Sequence, residues 1–154
     1  MLFAADEWQN ICFTWDADSR VESFYLNGQL KTIETSDPTH SLLPGGTIVL
    51  GQEQDSVGGS FQLNQAFAGE IYGLQMLNRA LSAKEVSAVF QAGMCASSTP
   101  LPGSHLSWSD FLGAERHGEV EVASAGCTVW DTLMTLRDEK VSNDLLAMLD
   151  DQFV

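Results

Sequence analysis

Between residues 51 and 61 the chain reads GQEQDSVGGSF. Glu53 and Asp55 stand two positions apart, Gln52 and Gln54 interleave with them, and Gly58 and Gly59 follow. Side-chain oxygens clustered this way have two uses. They are solvated as an acidic turn, or they hold a hard cation, because calcium collects roughly six to eight oxygen ligands at about 2.3–2.6 Å. Neighbouring side chains on an extended strand point to opposite faces. The chain must therefore curl for Glu53 and Asp55 to converge, and glycines, lacking a Cβ, permit such a curl.

Other chemistry finds little support. His40, His105 and His117 are scattered and lie near neither each other nor a cysteine. Cys12, Cys95 and Cys127 have neither zinc-ligand nor redox CxxC spacing. Their odd count leaves one thiol unpaired within the chain, and buried free thiols are an open reading for all three. There is no nucleophile elbow, no HExxH and no phosphate-binding loop. Glu53 and Asp55, close together on one flexible turn, are not the opposed carboxylates that flank a glycosidic bond. The expectation is a protein that is not an enzyme.

A formal charge of −14, from 21 acidic and 7 basic residues, argues against nucleic acid, since there are too few cations to neutralise phosphates. The acids are spread over both halves, eleven before Met94 and ten after it, which describes a solvated surface that tolerates cations. No apolar run approaches the roughly 20 residues that span a bilayer. The N-terminus, MLFAADEWQN, lacks the basic start and apolar core of a signal peptide. At 154 residues, 44% hydrophobic and 18% charged, the chain suits a folded domain with a real core.

The elements that must position the acidic turn read mainly as strands. Residues 9–15 alternate, with Ile11, Phe13 and Trp15 on one face and Cys12 and Thr14 on the other. Residues 21–33 form two strands joined at Asn27-Gly28, the pair that supplies the positive φ angles of a tight hairpin. Residues 36–46 are a loop, and 47–51 (TIVLG) a buried strand that delivers the chain into the turn. Residues 67–78 read as a long strand region in which Gly69 and Gly73 mark bends or close packing. A helix over 82–92 opens with Ser82 and Glu85 as a capping box, carries Val86, Val89 and Phe90 on one face, and ends at Gly93. Residues 96–104 have linker-like composition, and 105–112 and 118–122 read as short strands. The tail from Ser142 reads as a short helix with Leu145, Leu146 and Leu149 on one side. So many strands at hairpin spacing with one short helix predict an all-β, antiparallel sandwich.

WQNICFTWD, FYLNGQ, GQEQDSVGGSFQLNQAFAGEI and LSAKEV, in this order and spacing, resemble the C-terminal part of a pentraxin domain, over about residues 8–112. The resemblance implies a lectin-like jelly roll, incomplete at its N-terminus here. It divides the chain into a partial pentraxin domain over 1–112 and an extension over 113–154. It further implies an extracellular calcium-dependent module that recognises a small polar ligand or a partner protein, with homo-oligomers possible for a complete domain. Carried over position by position, the calcium ligands are Glu53, the backbone carbonyl of Gln54, Asp55, Gln62 and Gln65. Gln62 departs from the family, which usually has an acid there, and a lost charge means a weaker site. The alternative is a truncated structural or interaction module of a larger secreted or receptor protein, its calcium site weakened or lost. Cys12 matches a family cysteine whose partner lies upstream, which leaves it unpaired here, and Cys95 and Cys127 are candidates to pair with each other. Repulsion between Glu53 and Asp55 leads us to expect residues 57–63 to be loose without a cation.

Overall fold

Asn27 and Gly28 take φ angles of 51° and 70° and turn the chain back as expected. The computed structural model describes residues 7–35, 44–96, 100–117 and 120–122, which divide into two units, one formed by 7–35 with 72–122 and the other by 44–71. Residues of the 36–46 loop before Pro44, the tail helix from Ser142, most of the 113–154 extension and all of Cys127 lie outside the described residues, as does the side chain of Cys95.

In the first unit, β1 (Ile11–Asp16), β2 (Val21–Leu26) and β3 (Gln29–Thr35) form an antiparallel sheet in the order β1-β2-β3. Phe13 faces Phe24 and Cys12 faces Tyr25 across the first pair. Asp16 shapes the β1–β2 connection by accepting from the Ser19 backbone N–H at 2.7 Å and its hydroxyl at 2.8 Å. The Asn27 side chain ties the second turn to the start of β1, accepting from the Asn10 N–H at 2.9 Å. Helix α1 (Ala83–Ala96) begins with the predicted capping box, in which the Glu85 carboxylate accepts from the Ser82 N–H at 2.6 Å and the Glu85 N–H donates to the Ser82 hydroxyl at 3.3 Å. Regular helix breaks at Gly93, whose φ is 84°.

Tyr25, Leu81 and Val86 form the buried core of this unit, with Cys12, Leu77 and Val89 packed around them. The sheet face bearing Cys12, Thr14, Ser23 and Tyr25 is therefore the covered one. The opposite face carries Ile11, Phe13, Phe24 and Leu26, and Phe13 is 61% exposed on it. Alternation along β1 is as expected, but among the described residues its most apolar face lies open. Such a face is what a sandwich presents to its second sheet.

Gly28 sits where a Cβ would lie 2.9 Å from the Phe90 Cβ and ring. A left-handed conformation costs a non-glycine residue roughly 1–2 kcal/mol before any clash. Gly28→Ala is expected to lower stability by at least that much, read as a fall in the urea midpoint; an unchanged midpoint would refute the assignment.

Glu85 also pairs with Arg79 at 2.7 Å. Burial pushes its carboxyl up, but hydrogen bonds from Arg79 and Ser82 and the charge of Arg79 outweigh this and hold it below the usual value. A carboxyl lowered by folding contributes stability above its unfolded pKa of about 4.3 and loses it as pH falls through the folded pKa. Stability should thus decline on acidification below about pH 4.3. Glu85→Gln should flatten that decline, measured as denaturation midpoint against pH, and an unaltered acid slope would count against the pair.

Four strand expectations need correction, the last of them TIVLG in the second unit. The 67–78 region pairs only at β4 (Met76–Leu77), which lies antiparallel to β5 (Ser104–Leu106). Gly69 and Gly73, with φ of 155° and 67°, interrupt extended pairing before it. Residues 105–112 are strand only to Leu106. Ser107 then opens a short helix, α2 (Trp108–Leu112), its N–H donating to Asp110 Oδ2 at 2.8 Å. An S-x-x-D spacing in the sequence carried that signal. Residues 120–122 are neither strand nor helix.

The second unit contains TIVLG, which is not a buried strand: Ile48 is 47% exposed and Leu50 38%. An apolar run becomes a strand only where a neighbour offers ladder partners. Here the described pairing consists of a bridge between Gln52 and Ala66 and a tight turn between Ser56 and Gly59.

Candidate functional site

The acidic loop folds within the second unit. Ser56 and Gly59 exchange backbone hydrogen bonds around Val57-Gly58, with Gly58 at φ 67°. Downstream, the Gln65 N–H donates to the Gln62 carbonyl at 3.0 Å in a 3₁₀ turn over Leu63–Gln65, and the Phe67 N–H donates to the Gly51 carbonyl at 2.9 Å. The loop is thus closed at its tip and at its base.

Glutamine side chains fasten the middle. Gln54 spans the loop, its amide donating to the Thr47 carbonyl at 2.8 Å and its oxygen accepting from the Gly58 N–H at 2.8 Å. Gln52 donates to the Gln62 carbonyl at 2.7 Å. The Gln62 carboxamide donates to Asp55 Oδ2 at 2.8 Å. Of the five expected ligands, Asp55 and Gln62 are therefore in direct contact. Glu53 is exposed two residues before Asp55, Gln65 ends the 3₁₀ turn, and Gln54 braces the loop with its side chain. Gly46, Thr47, Gln54, Asp55, Ser56 and Val57 line an open cleft of about 370 Å³.

Asp55 therefore meets an N–H donor of Gln62. Sequence reasoning missed this contact because a glutamine in a ligand position was read by its oxygen alone, whereas a carboxamide carries donors as well.

The donor set is chemically suited to calcium, being entirely carboxylate, amide and carbonyl oxygen. It is lean in charge, with Glu53 and Asp55 its only acids, and no group of three or more His, Cys, Asp or Glu side chains able to hold a metal occurs among the described residues. Cys12 is a free, half-buried thiol against the Tyr25 cluster, and burial pushes its pKa up.

Comparison with known proteins places this fold. The Pentaxin family matches residues 3–123, and the chain belongs to that family. Its fold is accordingly the antiparallel jelly-roll sandwich, to which the antiparallel strands and the single long helix described here conform. Mouse (Mus musculus) neuronal pentraxin-2 is 40% identical over 111 residues, covering 71% of this chain and 25% of its own length. Human neuronal pentraxin-1 is 36% identical over 125 residues, 80% of this chain and 26% of its own. The pentraxin fusion protein of Xenopus laevis is 32% identical over 103 residues, 67% of this chain and 25% of its own. The chain thus spans about a quarter of the length of these relatives. A solved S-layer domain-containing protein from Clostridium thermocellum aligns at TM-score 0.39 and 20% identity, over 58% of this chain and 42% of that one, too slight a likeness to carry an argument. Among the described residues no helix is long and apolar enough to cross a membrane.

Proposed function

We propose that this chain is a calcium-dependent, non-enzymatic binding module of the pentraxin type, acting outside the cell on a small polar ligand or a partner protein. The observation that carries the reading is the closed, oxygen-rich loop of residues 51–67 in a chain of the Pentaxin family. Glu53, Asp55, the Gln54 carbonyl, Gln62 and Gln65 would hold the cation. Bound calcium supplies a positive centre with coordination positions open to ligand oxygens. The protein's part is to present these oxygens on a curled backbone and to leave the adjoining cleft accessible.

Calorimetric titration of the chain with calcium tests this. Binding on the order of 10⁻⁴–10⁻³ M, the range of extracellular calcium modules, is the expected result. Absence of any binding heat would leave a structural or interaction module and end the calcium reading.

A further inference from the structure

In a deepening that rests on the calcium reading, we propose that Gln62 is an internal clasp that takes the place of a cation in holding the acidic loop closed, and that an incoming cation must displace it. The Gln62 Nε2–Asp55 Oδ2 contact at 2.8 Å puts a neutral donor where a positive ion would otherwise satisfy Asp55. Gln62 is held there by its backbone: its carbonyl accepts from Gln52 Nε2 at 2.7 Å and from the Gln65 N–H at 3.0 Å. Neither bond involves the carboxamide, so that group is free to reorient without moving the chain.

A carboxamide has donors on one side and an acceptor on the other. With nitrogen toward Asp55 it closes the loop without metal. Turned over, it offers an oxygen to a cation that Asp55 also contacts. The substitution that weakens the site in charge therefore has a second consequence. The cation-free loop no longer depends on metal for its shape, and metal binding must first break a hydrogen bond to a charged acceptor.

Glutamate at this position has no donor when ionised, so its carboxylate beside Asp55 repels instead of fastening. The test compares amide hydrogen exchange over residues 56–67 in wild type and Gln62→Glu, first with a chelator and then with calcium chloride. In chelator the Gln62→Glu loop should exchange about three- to tenfold faster, the factor that loss of one net hydrogen bond produces. Amides of β1 and β2 serve as the internal control for global unfolding. Calcium should then restore protection to Gln62→Glu and bind it more tightly than wild type. If Gln62→Glu exchanges like wild type in chelator, the clasp is overturned, whatever calcium does. If the variant loop opens in chelator and calcium fails to close it, the clasp stands and the calcium reading falls.

Discussion

Tyr25→Ala is expected to remove about 3–5 kcal/mol of stability, the cost of deleting a large buried aromatic side chain. Folded domains have only about 5–15 kcal/mol in hand, so most of the protein should be unfolded or close to it. Tyr25 is 5% exposed and stands at the centre of the small cluster with Leu81 and Val86. It is a main contact through which the covered face of the β1–β3 sheet meets the start of α1, and among the described residues no other large aromatic occupies that cluster. The loss should appear as a lowered urea midpoint together with lost helical circular dichroism. Phe13→Ala is the informative contrast. Phe13 lies on the opposite face, 61% exposed, and an exposed side chain usually changes stability by less than about 0.5 kcal/mol. Equal costs for the two substitutions would mean that the open face is covered in solution.

The second large effect is at the loop. Asp55→Ala should abolish calcium binding, with no heat up to roughly 10 mM calcium, well above the range of extracellular sites. Asp55 is one of two carboxylates the loop offers and the one that Gln62 contacts. Asp55→Asn separates its two roles. An amide oxygen still accepts from Gln62, so the loop should stay closed in chelator, while the lost charge removes the cation. Wild-type binding that survives Asp55→Ala would move the site away from this loop.

Much of the local structure was legible in the residues alone, for a physical reason. The Asn27-Gly28 turn and the Ser82–Glu85 cap depend on neighbours within a few positions, and both formed as read. So did the alternation of β1 and the end of the regular helix at Gly93. The family was legible too, because the acidic block and its flanking segments keep their order and spacing. What the residues could not decide was anything that needs a distant partner. TIVLG is as apolar as a core strand, yet burial requires a layer to press against, and Ile48 and Leu50 stay exposed. Residues 67–78 have strand composition, but the φ angles at Gly69 and Gly73 confine pairing to Met76–Leu77. Which face of β1 is covered was decided by where α1 packs, and it chose Cys12 and Thr14 over Ile11 and Phe13. At the candidate site, residue types marked the stretch as rich in oxygen donors. Only the folded loop decided that Gln62 would turn its nitrogen to Asp55, because a carboxamide has two chemically opposite ends and its surroundings select between them.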